Sequence, residues 1–304
     1  MAGSWTLADA RGVLRSPTAA DDKYSRGVVG FRTGSDAYPG AAVLGVEAAW
    51  RAGIGMVRYL GPDRAAQLVL ARRPETVTAD GRVQAWVIGS GMVPTAPPDA
   101  DDASPGDSGR VGPTAARSAA DTAALRGILS GAQPVIVDAG ALDLAVGAHA
   151  PRIVTPHARE HARLRELLGL DPASAEDDDG RAAVAAQTAA ALGATVVVKG
   201  AVTIVAQPDG WATRVTAGTP WLATAGTGDV LAGALGAVVA AAEARREAQG
   251  EAHGLGALAA TAVWLHGRAA TLAAGGLGAA GGPITALDVA DALPLAVAEA
   301  IAAE

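Results

Sequence analysis

Short runs rich in Val and Ile alternate along this chain with longer segments rich in Ala and Leu, and that alternation limits the fold more than any other feature. Brief β-branched runs bounded by Gly, Pro or Asp read as strands buried on both faces, and the longer segments between them as helices. Repeats of this kind close into an α/β fold, a central mostly parallel β-sheet flanked by helices on both faces. The expected strands cover 27–33, 56–60, 85–88, 134–137, 152–154, 195–198, 202–206 and 211–215. The last two form a hairpin turning at Pro208-Asp209-Gly210. The expected helices cover 41–51, 113–129, 159–168, 181–192, 230–247, 255–273 and 286–302.

Neither an internal repeat nor a linker divides the 304 residues, so a single domain is expected over 1–304. It carries an N-terminal extension over 1–22 and surface loops over 95–112 and 171–180. Half of the residues are apolar, enough to bury a large core. The net charge of −7 makes nucleic acid a poor partner. It leaves room for a nucleotide, which a local cradle of backbone N–H groups binds whatever the overall charge. With no cysteine, disulfides, thiolate metal sites and cysteine nucleophiles are excluded, as fits a cytoplasmic protein. No secretory signal is visible in the first fifteen residues. The apolar stretches 230–242 and 255–274 carry glycines, His266 and Arg268, and read as buried helices rather than membrane spans.

The segment with most chemistry in it is Thr224-Ala225-Gly226-Thr227-Gly228-Asp229. Glycines just before a long apolar helix let successive N–H groups of Ala225, Gly226, Thr227 and Gly228 converge on one anion. A carboxylate in the first helical turn, Asp229, can take a proton from a hydroxyl attacking a bound phosphate. The same pattern also suits a plain helix start, because Asp and Gly are favoured at caps and turns. A second segment, Val198-Lys199-Gly200-Ala201-Val202-Thr203, places a lysine and a glycine at the C-terminal end of a buried strand. Open α/β sheets bind ligands at that edge, although a lysine there can equally reach solvent. Neither a P-loop nor a dinucleotide-binding glycine pattern is present.

Other segments read two ways. His157-Ala158-Arg159-Glu160-His161 fits a zinc peptidase pattern, but no third ligand follows and His157 opens the helix, so no metal site is assigned. Asp177-Asp178-Asp179 reads as a solvated loop. Thr33-Gly34-Ser35 and Pro39-Gly40-Ala41-Ala42 would let a ligand approach the backbone, or form a tight turn with no ligand at all.

Taken in order, the segments are Lys23-Tyr24-Ser25-Arg26-Gly27 with Gly34-Ser35 and Pro39-Gly40-Ala41-Ala42; Thr155-Pro156-His157 with Glu160; Lys199-Gly200 with Thr203; and Ala223 through Gly233. Together they resemble the NAD(P)H-hydrate dehydratase family of the ribokinase-like superfamily. Val135-Ile136-Val137-Asp138-Ala139 and Ala262 through Ala269 are similar to two further family segments, and the likeness spans about residues 23–290.

The resemblance implies a lyase on a kinase fold. The substrate would be the S epimer of hydrated NADH or NADPH, and ADP, or in some members ATP, the phosphate donor, with Mg2+ accompanying the phosphates. Asp229 would be catalytic, with the anion hole at Ala225, Gly226, Thr227 and Gly228. Ala41, Gly91, His157 and Asp229 would contact the hydrated dinucleotide. Lys199, Gly200, Ala201, Val202, Thr203 and Gly228 would contact the adenine nucleotide. It further implies a homo-oligomer, a tetramer in many members, and epimerisation by a separate protein, since the likeness begins within some two dozen residues. The chain departs from the family at Ile88-Gly89-Ser90-Gly91-Met92, where Gly-Pro-Gly-Leu-Gly is usual, and at Phe31-Arg32-Thr33, where small or aliphatic residues are usual. Two other activities share the glycine-Asp segment: an ATP-dependent kinase of a small vitamin precursor, and a nucleotide sensor without turnover.

Overall fold

The structure is a computed structural model that describes residues 3–94, 117–172 and 175–302. Its strands are β1 (Gly3–Ser4), β2 (Val28–Arg32), β3 (Met56–Tyr59), β4 (Ala85–Ile88), β5 (Val135–Val137), β6 (Arg152–Val154), β7 (Thr195–Val198), β8 (Thr203–Ala206) and β9 (Ala212–Val215). Its helices are α1 (Leu7–Val13), α2 (Gly40–Arg51), α3 (Asp63–Arg72), α4 (Ala119–Leu129), α5 (Ala158–Leu167), α6 (Asp178–Leu192), α7 (Thr227–Gln249), α8 (Leu255–Gly275) and α9 (Ala286–Ala302). Short 3-10 turns cover Ala139–Ala145 and Pro220–Leu222.

The strands form one sheet in the order β1-β9-β8-β7-β6-β5-β4-β2-β3. Only the pairs β7–β8 and β8–β9 are antiparallel. The others are parallel, as βαβ connections require. Side chains alternate between the faces. Ile136, Ile153, Val197 and Val205 enter the core under α2, α7, α8 and α9. Val135, Val137, Val154, Val196, Val198 and Ile204 enter the core under α4, α5 and α6. Each fully buried Val or Ile contributes about 1.5–3 kcal/mol relative to exposure, which is why these all-apolar runs settle in the middle of the sheet.

Helix α7 has the length and composition to cross a membrane, but 78% of its apolar window is buried inside the protein. It is the central core helix. It crosses α2 with almost nothing between the backbones: a Cβ on Gly233 would lie 2.1 Å from the Gly45 carbonyl oxygen. The aromatic ring of Phe31, in the segment that departs from the family, fills the space beside Gly45.

Three elements were not expected. Helices α1 and α3 bury only Ala10 with Val13, and Ala65 with Val69, too few apolar positions to show a period. β1 is two residues long and adds to the edge of β9. Part of the expected extension therefore packs on the domain, with Ala10 fully buried in its core. Helix α6 starts inside the loop expected over 171–180, because Asp177 accepts from the Gly180 N–H and caps it. Of the helix expected from 113, residues 113–116 lie outside the described residues, and α4 starts at Ala119, where the Ser118 side chain caps it. The loop expected over 95–112 lies outside the described residues.

Candidate active site

Strands β4, β5, β6 and β7 are neighbours and parallel, so the residues just past their C-terminal ends meet at one edge of the sheet. Those residues are Ser90, Asp138, Thr155 and Lys199. The Asp138 carboxylate sits at their centre and is almost wholly buried. Its Oδ1 accepts from Thr155 Oγ1 at 2.6 Å and from Lys199 Nζ at 3.0 Å. Its Oδ2 accepts from Ser90 Oγ at 2.9 Å. Lys199 Nζ also stands 3.8 Å from Glu160 Oε2. Burial works against the Lys199 charge, but Asp138 and Glu160 outweigh it and hold the ammonium above the ordinary lysine value.

Glu160 and His157 form a reciprocal cap on α5. Glu160 Oε2 accepts from the His157 N–H at 2.8 Å, and His157 Nδ1 accepts from the Glu160 N–H at 3.3 Å. His157 Nε2 stands 3.6 Å from Glu160 Oε1, and the imidazole is half-exposed.

The N-terminus of α7 faces this group. Gly226 has φ +89°, the left-handed region that favours glycine, and a Cβ there would lie 2.6 Å from Leu44. Thr227 Oγ1 donates to the carbonyls of Leu222 and Thr224, tying the turn together. His266 on α8 donates from Nε2 to the Thr227 carbonyl at 2.9 Å. Burial pushes that imidazole down to about 4, so it is neutral at physiological pH. The first-turn N–H groups of Gly228 and Asp229 have no acceptor within the helix, and the helix dipole adds to their pull on an anion. A Cβ on Gly228 would stand 3.7 Å from Lys199 Nζ, so the lysine borders the cradle. Burial, with the Asp138 charge added, pushes the Asp229 carboxyl up to about 7 against the pull of Lys199.

A cleft of about 620 Å³ opens on one side. Lys199, Gly200, Ala201, Thr203, Thr227 and Gly228 all line it, under Val263 and His266 of α8. Val202 does not. Its side chain packs with the core under α6, and its carbonyl accepts from Arg181. Ala225 is exposed at the turn before α7. Ala41 and Gly91 meet on the other side, where a Cβ on Gly91 would lie 2.6 Å from the Ala41 Cβ and its φ of +68° favours glycine. A smaller hollow of about 180 Å³ beside them is lined by Met92, Gly140, His157 and Glu160.

The zinc reading of His157 and His161 fails on direction. His161 points inward, its Nε2 donating to Thr188 Oγ1 at 2.9 Å, because the Thr188 hydroxyl already donates to the Val184 carbonyl. The aspartate run is spent on structure: Asp177 caps α6, Asp178 pairs with Arg181 and Asp179 with Arg214. No group of three His, Asp or Glu side chains that could hold a metal ion occurs among the described residues.

The sequence profile of the NAD(P)H-hydrate dehydratase family matches residues 29–292. The chain belongs to the NAD(P)H-hydrate dehydratase family. It is 42% identical over 236 residues to the bifunctional NAD(P)H-hydrate repair enzyme Nnr of Mycobacterium tuberculosis, a match covering 74% of this chain and 43% of that protein. The chain thus spans under half the length of the first curated relatives it matches. It is 32% identical to the ADP-dependent (S)-NAD(P)H-hydrate dehydratase of Neisseria meningitidis, covering 89% of this chain and 85% of that one. Among solved structures it is similar to the ADP/ATP-dependent NAD(P)H-hydrate dehydratase of Bacillus subtilis co-crystallised with ATP and Mg2+. The TM-score is 0.75 and the identity 26%, over 97% of each chain. The ribokinase-like arrangement that the resemblance implied is the one observed.

For this family member, reading the sequence left Asp138, Ser90, Thr155 and His266 without individual roles. An aspartate directly after an all-apolar parallel strand was the available signal for Asp138, since that edge of the sheet is where ligands bind.

Proposed function

We propose that this family member dehydrates the S epimer of hydrated NADH or NADPH at the expense of ADP, restoring the reduced dinucleotide and releasing AMP and phosphate. The observation that carries this reading is the position of Asp229. It opens α7 beside the Lys199–Gly228 cradle on one side, and α2, which carries Ala41, packs against its backbone on the other.

In this reading the adenine nucleotide lies in the 620 Å³ cleft, against Lys199, Gly200, Ala201, Thr203 and Gly228. The terminal phosphate sits on the N–H groups from Ala225 to Gly228, next to the Lys199 ammonium. The hydrated nicotinamide lies toward Ala41 and Gly91, with His157 against it. Asp229 takes the proton from the ring hydroxyl as that oxygen attacks the terminal phosphorus. The bond from phosphorus to the oxygen bridging it to AMP breaks. A carboxyl titrating near 7 suits a base that must accept a proton at neutral pH. The cradle and Lys199 stabilise the transferring phosphoryl group, whose transfer depends on positioning and charge more than on covalent help. The ring nitrogen then expels phosphate, and loss of the neighbouring ring proton regenerates the reduced nicotinamide.

Magnesium accompanies nucleotide phosphates mainly through phosphate oxygens and water, and needs few protein ligands. The described residues offer it no cage of three carboxylates or imidazoles. The relatives' description as bifunctional repair enzymes supports a functional link to an epimerase that converts the other epimer.

The test is recovery of reduced-nicotinamide absorbance after mixing protein with hydrated NADH and either ADP or ATP. Recovery that needs ADP and stops with one epimer left over supports the reading. No recovery from folded protein with either nucleotide moves the assignment to a small-molecule kinase or a nucleotide sensor.

A further inference from the structure

We propose that Asp138 is a positioning residue of this site: clamped by Ser90 and Thr155, it fixes the Lys199 ammonium beside the glycine cradle and sets its own negative charge against Asp229. The inference rests on the reading of Asp229 as the base.

The geometry leaves the Asp138 carboxylate little freedom. Oδ1 takes a hydroxyl and an ammonium, Oδ2 takes a second hydroxyl, and the three donors follow β4, β6 and β7, on both sides of the strand that carries Asp138. The backbone on either side is as tightly set. A Cβ on Gly89 would fall 2.1 Å from the Asp138 carbonyl oxygen, and Ala139 takes a φ of +44°, rare for a residue with a side chain. Strain held beside a buried carboxylate marks a position whose orientation matters more than its local stability.

Asp138 then does two things at once. Through Lys199 it keeps a positive charge at the cradle before any phosphate arrives. Through space it adds to the burial that already makes ionisation of Asp229 hard, and the two together raise that carboxyl toward neutrality. The other groups packed around Asp229 are accounted for. Glu160 on α5 stands against Lys199, and His266 on α8 is neutral and bound to Thr227. On α2, Glu47 is held by Arg51, Arg72 and Arg73. On α9, Asp288 is bound to Thr285, Asp291 pairs with Arg51 and Glu299 with Arg268. Asp138 and Lys199 are the charges left to set the behaviour of Asp229.

The experiment is a carboxyl-carbon NMR titration of Asp229 in protein free of nucleotide and substrate, so it reads the coupling whether or not the dehydratase reaction occurs. In the unsubstituted protein the Asp229 midpoint is expected near 7. Asp138→Asn should lower it by at least about half a pH unit, and the acid limb of kcat/KM should move down with it. Ser90→Ala, which removes a hydrogen bond but no charge, should move the midpoint less than half as far. Equal shifts in both variants, or no shift in Asp138→Asn, would overturn the proposal. Should Asp138→Asn not fold, the unsubstituted protein still decides. The Asp138 carboxyl resonance should inflect at the Asp229 midpoint and lose that inflection in Asp229→Asn; its absence in the unsubstituted protein sinks the coupling.

Discussion

Lys199 Nζ lies 3.0 Å from Asp138 Oδ1, although the two residues end strands that β6 separates. That ion pair joins the nucleotide side of the site to the strand that closes its floor, and it makes Lys199→Met informative. The variant should weaken ADP binding about tenfold or more, because a charge-assisted contact to phosphate is lost. It should also raise the Asp229 midpoint, since Lys199 pulls it down. Calorimetric titration with ADP and the NMR titration read the two effects separately.

Asp229→Asn should cut turnover at least about a hundredfold while ADP binding survives. Unchanged turnover would remove Asp229 from the base role. The same variant has a stability signature. The folded carboxyl titrates near 7 against an ordinary 3.8, so the folded state holds the extra proton between those values and stability falls as pH rises through that window. Asp229→Asn should therefore gain on the order of 1–2 kcal/mol over the unsubstituted protein at pH 8, and gain nothing at pH 3.5. Thermal melts at the two pH values check this.

His157 has two tasks, and two substitutions separate them. His157→Ala removes the ring and the α5 cap together, costing about 1 kcal/mol of stability. His157→Asn keeps a capping side chain. Both should raise KM for the hydrated dinucleotide more than KM for ADP, while only the alanine variant should melt lower. Equal effects on both KM values would move His157 out of the dinucleotide side.

Gly226→Ala adds a methyl at φ +89° against Leu44. It should destabilise the protein by about 1–3 kcal/mol and weaken ADP binding, as the turn into α7 opens. A variant with unchanged melting and unchanged ADP affinity would mean that the turn relaxes without cost.

His161 carries an acid-linked contribution. Burial holds its ring near 4, against an ordinary 6.5, so the folded state binds fewer protons between those values. The stability linked to it is full above about pH 6.5 and is lost as pH falls toward 4. His161→Gln should flatten the fall in melting temperature between pH 6.5 and pH 4.5. An unchanged slope would assign that fall to other groups.

The strands were legible because most of their residues are apolar and many are β-branched, and β4, β6 and β7 fall at the expected bounds. The long helices were legible for the same reason, with ends shifted by caps such as Asp177 and Ser118. Helices α1 and α3 were not, because each presents only two buried apolar residues. At the site, Asp229, Lys199 and His157 stand in recognisable local patterns. Asp138 does not, since one aspartate after a strand looks like a turn residue until three strand ends converge on it. Ser90 shows its part only in space, as a hydroxyl that donates to Asp138.

The crossing of α2 and α7 at Gly45 and Gly233 fixes a dimension of the enzyme. Ala41 and Asp229 ride on those two helices, and where the helices touch only the Ala48 methyl accompanies the backbone of Gly45 and Gly233. The gap between the hydroxyl's expected seat and its base is therefore set by peptide groups in contact. Loop substitutions can reshape either cleft and leave that gauge untouched, whereas a single methyl at Gly233 would act as a wedge at the hub and reset every distance measured across it.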